Sequence, residues 1–282
     1  MEKVALVTDS SCDLPQRIID EYGINVIPLR IIYKNNEYKD GMDIKPIEIY
    51  QNLDIEVPKT SMPSPYDVVS KLNELKQKGF THCIALTISS GLSGTYDMFK
   101  LVKEEISDIY ISVVDSKILS LGLGLLVYET AKMIKNGYHY DEILDKIEVL
   151  KNRVKGFFTV DTLEYLKKGG RISSFAAKIG SLLNLKPIIS VDEHGKYYMF
   201  SKVRGKNQAV AKMIDELLLY SKNYKSIIVG IPHANVENEA NELANKIKNI
   251  SSVKEIIVNE VSPALGVHSG PGLIGLTFLP IE

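Results

Sequence analysis

The sequence contains no tryptophan, only two cysteines and no excess of basic residues. Its 34 Lys and Arg against 35 Asp and Glu leave a formal charge of −1, whereas nucleic-acid binding normally needs a basic surplus that displaces counterions from phosphates. Cys12 and Cys83 lack C-x-x-C spacing, which is typical of a reduced, cytoplasmic protein. No two histidines have H-x-H or H-x-x-x-H spacing, so we expect no metal site and no metal cofactor.

Long apolar segments are also missing. The longest apolar stretch, residues 118–128, is about half the ~20 residues that a membrane-spanning helix requires. Residues 1–9 have no basic region, and they carry an acid where a signal peptide would be apolar. We therefore expect no transmembrane segment, and we expect a cytoplasmic location.

The overall amino-acid composition is typical of a globular protein. Apolar residues make up 45% and charged residues 24% of 282 positions, a length that suits two domains. We place the boundary near residue 155, which gives an N-terminal domain over 1–155 and a C-terminal domain over 156–282.

The first half alternates β-branched runs with amphipathic stretches. It predicts buried strands at residues 4–8, 24–32, 83–88 and 109–114. One helix is predicted between the second and third strands, with Ser64 as its N-cap, and another between the third and fourth. This repetition with nearly unbroken apolar strands indicates an α/β domain with a doubly wound, mostly parallel sheet.

The second half has a different pattern. Residues 186–191 and 196–203 flank a turn and predict a β-hairpin. The pattern then predicts a helix at 206–220, a strand at 226–231, a second helix, and strands at 255–261 and 272–279. A hairpin, a βαβ unit and a terminal strand together indicate an α+β domain with a mixed sheet.

Polar segments interrupt both halves and supply the candidate site residues. Thr60 and Ser61 precede a helix start without a local role, and Ser93 and Gly94 lie where a strand gives way to a helix. Hydroxyls and free backbone N–H groups at a helix N-terminus suit a carboxylate or phosphate, although an ordinary N-cap serine would look the same. His268 stands before the last strand, either at the mouth of a site or in a tight turn. Residues 8–15 follow the first strand and suit either a ligand or a turn.

Several enzyme motifs are incomplete. The run Gly91-Leu92-Ser93-Gly94 is one residue short of the nucleophile elbow G-x-S-x-G. No Gly-Lys-Ser/Thr completes a phosphate-binding P-loop, and the glycines at 122 and 124 lack the third glycine of a dinucleotide-binding fingerprint. A serine hydrolase or esterase that uses Ser93 and His268 remains the alternative hypothesis. A weaker alternative is a phosphotransferase component that resembles sugar or dihydroxyacetone kinases.

Taken together, the polar segments resemble the DegV family. The motifs that carry the resemblance span nearly the whole chain in the family's order: Val7-Thr8-Asp9-Ser10-Ser11, Thr60-Ser61-Met62-Pro63-Ser64, Ser90-Gly91-Leu92-Ser93-Gly94-Thr95-Tyr96, Lys168-Gly169-Gly170-Arg171-Ile172, Lys202-Val203-Arg204-Gly205 and His268-Ser269-Gly270-Pro271-Gly272. Met62 stands where the family often has glutamine, which we expect to alter local packing more than chemistry.

The resemblance implies a bacterial, two-domain, lipid-binding protein. It implies that one long-chain fatty acid such as palmitate is enclosed between the domains, and that the following residues surround its carboxylate: Ser61, Ser93, Thr60, Gly94 and His268. It places Arg204 near the head group or a partner surface. By the same resemblance the chain is not itself an enzyme. It is the substrate-carrying subunit of a fatty acid kinase, whose separate ATP-binding subunit makes an acyl phosphate for phospholipid synthesis.

Overall fold

The computed structural model describes residues 2–172 and 185–281. The strands are β1 (Val4–Asp9), β2 (Asn25–Ile27), β3 (Arg30–Ile32), β4 (Glu37–Lys39), β5 (Lys59–Ser61), β6 (His82–Thr87), β7 (Tyr110–Asp115), β8 (Lys155–Thr159), β9 (Lys186–Val191), β10 (Tyr197–Val203), β11 (Ile227–His233), β12 (Val253–Glu260) and β13 (Ile274–Pro280). The helices are α1 (Gln16–Tyr22), α2 (Pro46–Asn52), α3 (Pro65–Gln77), α4 (Thr95–Lys103), α5 (Leu121–Lys135), α6 (Tyr140–Arg153), α7 (Glu164–Lys168), α8 (Lys206–Ser221), α9 (Glu237–Ile247) and α10 (Pro263–Ser269).

The first half forms a four-stranded parallel sheet in the order β2-β1-β6-β7. This arrangement confirms the predicted α/β fold. The chain winds outward from β1 in both directions, so the strand order reverses between β1 and β6. In open α/β sheets, ligands bind beyond the carboxyl ends of the strands at such a reversal. Ser64 caps α3 as predicted, because its hydroxyl accepts a hydrogen bond from Tyr66 N at 3.2 Å.

The single strand predicted at residues 24–32 is wrong. The structure divides it into β2 and β3, with Pro28 between them. Proline has no N–H to donate to a strand ladder, so the chain leaves the parallel sheet there. Strand β3 pairs antiparallel with β4 and β5 in a small separate sheet, in which Thr60 lies opposite Ile31.

The second half forms a six-stranded mixed sheet in the order β10-β9-β8-β13-β11-β12. Only β11 and β12 pair in parallel among these neighbours, and the predicted hairpin is the antiparallel pair β9 and β10. Every residue of β11 and β13 is buried, which accounts for their predominantly apolar sequences. The mixed sheet confirms the second part of the predicted fold.

Helix α5 lies between the two sheets and joins their cores. It contacts β1 and β6 on one side and β11 and β13 on the other. Gly124 permits this close packing, since a Cβ there would lie 2.4 Å from the carbonyl oxygen of Cys12. The division into two domains at residue 155, where β8 begins, stays a prediction. Among the described helices, none is both long and apolar enough to cross a membrane.

Candidate functional site

A cavity of about 370 Å³ lies between residues of the two halves. Its volume falls in the range of about 300–1,000 Å³ that is usual for small-molecule sites. The walls are mainly apolar side chains from both halves, among them Ile88, Leu92, Ile118, Phe157, Phe158, Val191, Leu265 and Leu273. Such walls suit an apolar ligand, because removal of apolar surface from water drives its binding.

Polar residues from three separate elements also line this cavity. The structure brings together all of the residues that we predicted to surround a carboxylate, namely Thr60, Ser61, Ser93, Gly94 and His268. Thr60 Oγ1 lies 2.7 Å from His268 Nε2, although the two residues are 208 positions apart in the chain. Ser61 and Gly94 are exposed, so this end of the cavity lies at the protein surface.

Arg204 does not join this group. It is exposed between the end of β10 and the start of α8, and it does not line the cavity. Its backbone N–H donates to Gln208 Oε1 at 3.1 Å. A role at a partner surface therefore stays a prediction for Arg204.

His268 is a neutral imidazole in this environment. Burial lowers the pKa of His268 to about 3, and the positive charge of Arg171 acts in the same direction. His268 Nδ1 has no hydrogen-bond partner among the described residues, and it packs so closely on Gly169 that a Cβ there would lie 2.1 Å away. A proton on Nδ1 would be buried without an acceptor, so we assign the proton to Nε2. Nε2 then donates to Thr60 Oγ1, which leaves the hydroxyl proton of Thr60 free for a ligand.

Ser93 occupies the turn that leads into α4. Its Oγ lies 2.8 Å from Thr95 Oγ1 and accepts a hydrogen bond from Thr95 N at 3.3 Å. The same turn is tied to the second half of the chain, because Ser89 Oγ donates to the carbonyl oxygen of Gly195 at 2.8 Å. The hydroxyl of Ser93 and the start of a nine-residue helix therefore face the cavity from a position set by both halves.

Arg171 and Tyr197 are among the cavity residues to which the sequence gave no role. Arg171 lines the cavity, and its guanidinium donates to the carbonyl oxygen of Gly169. Tyr197 also lines it, and burial raises the pKa of this phenol. The sequence signal for Arg171 was its position in the motif 168–172, which supported the family resemblance. Nothing in the sequence distinguished Tyr197 from the other residues of the strand predicted at 196–203.

The family model for DegV, a family described as uncharacterised, matches residues 3–280 of this chain. The chain belongs to the DegV family. A DegV domain-containing protein of Clostridium acetobutylicum is 45% identical over 280 residues, which are 99% of this chain and 99% of that protein.

Solved structures share the fold over nearly the whole chain. One from Thermus thermophilus, described by its fatty acid binding, has a TM-score of 0.93 at 31% identity and covers 99% of this chain and 100% of its own. A stearic-acid-binding protein from Eubacterium ventriosum has a TM-score of 0.89 at 28% identity and covers 99% of this chain and 98% of its own.

In this DegV chain two acids of the first half, Asp13 in segment 8–15 and Asp40 just after β4, bind the start of the helix that carries His268. The Asp13 carboxylate accepts a hydrogen bond from Ser262 N at 2.8 Å, and the Asp40 carboxylate accepts one from Ala264 N at 2.8 Å. These N–H groups are at the start of α10, where they have no partner within the helix. Two acids from the first half thus fix the helix that contributes His268 to the cavity.

Because they are buried, the carboxyls of Asp13 and Asp40 are weaker acids than in water. Burial raises the pKa of Asp13 to about 8 and that of Asp40 to about 6, while hydrogen bonds from serine hydroxyls partly offset the rise. The nearby Asp9 carboxyl is also buried, and its pKa is raised by the same cause. The folded protein therefore keeps protons on these carboxyls in a pH range in which the unfolded chain has lost them.

We expect the buried carboxyls to lower the free energy of unfolding as the pH rises from about 4 to about 8. Below about pH 6.5 His268, whose pKa folding lowers to about 3, acts in the opposite direction, so the net fall should be clearest between about pH 6.5 and 8. A carboxyl whose pKa is raised by folding stabilises the fold fully only below its unfolded pKa, and each extra proton bound by the folded state gives a slope of about 1.4 kcal/mol per pH unit. Asp13→Asn, which resembles the protonated acid, should give a shallower slope up to pH 8. Urea unfolding at a series of pH values measures this, and an unchanged slope would contradict the raised pKa of Asp13. Asp40→Asn is the matched control, because its effect on the slope should be confined to pH values below about 6.

Proposed function

We propose that the protein binds one long-chain fatty acid such as palmitate, with its tail in the cavity and its carboxylate at the polar end. The observation that carries this proposal is the combination of apolar walls with hydroxyls gathered at one surface-exposed end. DegV structures described as fatty-acid-binding support it.

The tail would supply most of the affinity. Burial of about a dozen methylenes contributes on the order of 10 kcal/mol at ~0.8 kcal/mol per CH₂. Lost translational freedom and ordering of the chain remove several kcal/mol of this. The net value is compatible with a ligand that remains bound during purification.

The polar end would determine where the carboxylate lies. A carboxylate in a partly buried site is costly unless several donors bind it. Thr60, Ser61 and Ser93 each offer a hydroxyl, and the start of α4 offers backbone N–H groups. Arg171 adds a permanent positive charge to the cavity wall.

We further propose that a separate ATP-binding subunit phosphorylates the bound acid. A carboxylate oxygen would attack the γ-phosphorus of ATP, a P–O bond would form, and the bond to the ADP oxygen would break, which yields an acyl phosphate and ADP. The exposed positions of Ser61 and Gly94 support this role, since they leave the polar end accessible to a partner. On this proposal the acyl phosphate would enter phospholipid synthesis, and the cytoplasmic location stays a prediction.

The alternative, a hydrolase with Ser93 and His268, has less support from the geometry. His268 Nε2 bonds to Thr60, and Ser93 Oγ bonds to Thr95. A base that takes the nucleophile's proton works best with a pKa near the working pH, whereas the pKa of His268 is lowered to about 3.

Ser93→Ala tests the proposal against the hydrolase alternative. We expect it to weaken fatty-acid binding by about tenfold to a hundredfold, because it removes a charge-assisted hydrogen bond worth roughly 1.5–3 kcal/mol. Native mass spectrometry and titration of delipidated protein would measure retention, and an ester substrate would measure turnover. Ser107→Ala is the control, since Ser107 is exposed and lies outside the cavity. Unchanged lipid binding with a complete loss of esterase activity would establish the hydrolase instead.

A further inference from the structure

The carboxylate end of the cavity carries a methionine at the protein surface. Met62 directly follows β5, lines the cavity and is 39% exposed. Its Sδ lies 3.5 Å from the position that a Cβ on Gly94 would occupy, so the thioether packs against the start of α4. This side chain is therefore reached by solvent and lies beside the groups that we proposed to bind the carboxylate.

No other methionine among the described residues shares this position. Outside the cavity lie Met42, Met98, Met133, Met199 and Met213. Met42 is 69% exposed and lies between β4 and α2, whereas Met98 and Met213 are buried. Within the described residues, a methionine is both solvent-exposed and part of the cavity wall only at position 62.

A thioether at the surface is open to oxidation by peroxides, which convert methionine to methionine sulfoxide. The sulfur lone pair attacks one oxygen of hydrogen peroxide, the S–O bond forms as the O–O bond breaks, and the other oxygen leaves as water. The sulfur is oxidised by two electrons, and the peroxide is reduced by the same two. A flexible apolar side chain thereby gains a polar oxygen that accepts hydrogen bonds.

The new oxygen would lie beside the donors that the carboxylate needs. The first N–H groups of a helix have no acceptor within that helix, and the turn before α4 adds the hydroxyl of Ser93. A sulfoxide oxygen on Met62 is tethered next to these donors, so it competes with the carboxylate of the ligand for them. The partial negative charge of this oxygen also repels the carboxylate.

We propose that Met62 is an oxidation-sensitive site, and that its sulfoxide weakens fatty-acid binding at the polar end of the cavity. This proposal rests on the proposed function. The oxidant is a peroxide, and a thiol-dependent methionine sulfoxide reductase would reverse the change. Cys12 and Cys83 should not respond, because both are buried and burial raises the pKa of their thiols, which keeps them in the less reactive protonated form.

The test measures the dissociation constant of stearic acid before and after delipidated full-length protein is treated with hydrogen peroxide. Peptide mass spectrometry gives the oxidised fraction at each methionine. We expect Met62 to be oxidised and the dissociation constant to rise about tenfold, the effect of losing one hydrogen bond to a charged group. Met62→Leu should bind stearic acid normally and keep its affinity after treatment. Met42→Leu is the matched control and should stay sensitive, because it retains Met62.

The outcomes separate this proposal from the proposed function. If stearic acid binds equally well once Met62 is oxidised, or if Met62 resists peroxide while Met42 reacts, the proposal is wrong and fatty-acid binding stands. A loss that persists in Met62→Leu, or that remains after a sulfoxide reductase has restored Met62, would also overturn it. If the untreated protein binds no fatty acid, the proposed function fails and this proposal fails with it. Should Met62→Leu not fold, the dependence of affinity on the oxidised fraction of Met62 in the unaltered protein decides the matter.

Discussion

Gly156→Leu is expected to weaken stearic acid binding by about a hundredfold and to leave the binding of lauric acid much less affected. A Cβ at this position has no backbone obstacle, because its nearest neighbour would be the flexible Ile118 Cδ1 at 3.3 Å. The rest of the side chain would enter the cavity that Gly156 lines. A leucine side chain displaces three or four methylenes of the ligand, which is about 3 kcal/mol at ~0.8 kcal/mol per CH₂.

Titration of delipidated protein with both acids measures the effect, and Gly156→Ala is the matched control with one methyl group. The fold should survive the change, since leucine is at least as compatible with a strand as glycine. Thermal unfolding checks this. An equal loss for both acids would show that the substitution had damaged the site rather than shortened the cavity.

His268→Ala is expected to reduce acyl-phosphate formation by the proposed kinase pair about a hundredfold, with at most a tenfold loss of fatty-acid binding. The neutral imidazole orients the hydroxyl of Thr60. Without it the carboxylate would be displaced from its attacking position, and phosphoryl transfer depends strongly on positioning. A reconstituted assay with ATP and the ATP-binding subunit measures turnover, and this chain alone with ATP and magnesium should release no ADP.

Arg204→Ala, measured in the same assay, tests the role of Arg204 at a partner surface. Because Arg204 is exposed and does not line the cavity, its loss should lower turnover and leave fatty-acid binding unchanged. Arg17→Ala is the control, since Arg17 is an exposed arginine on α1. If either Arg204→Ala or His268→Ala binds lipid normally and supports full turnover, the role assigned to that residue is wrong.

The sequence predicted most strands of the two larger sheets and the helices α3, α4, α8 and α9 because their signals are local. It predicted neither α6 nor the strands β4, β5 and β8. Alternation and apolar runs mark β1, β6, β11 and β13, and the cap at Ser64 marks the start of α3. Short elements gave weaker signals. Helix α10 has only seven residues and was not predicted, and the glycines and proline that follow His268 allowed a tight turn there instead.

The chemical character of the candidate site was also accessible from the sequence. Hydroxyls and glycines beside helix starts indicated an anion site, and all five residues predicted to surround the carboxylate line one cavity. The sequence could not reveal the roles of Asp13 or Asp40. Each acts through a neighbour that is distant in the chain, and a single sequence contains no signal for such pairs.

The sequence by itself determined the alternation of strands and helices, the types of the two larger sheets and the residue chemistry available for a carboxylate, because periodicity and turn chemistry act over a few residues. Only the tertiary structure decided which elements meet. The pairing of Thr60 with His268 spans 208 positions. This contact depends on how the small sheet of β3, β4 and β5 packs against α10, and that packing joins segments from the two ends of the chain.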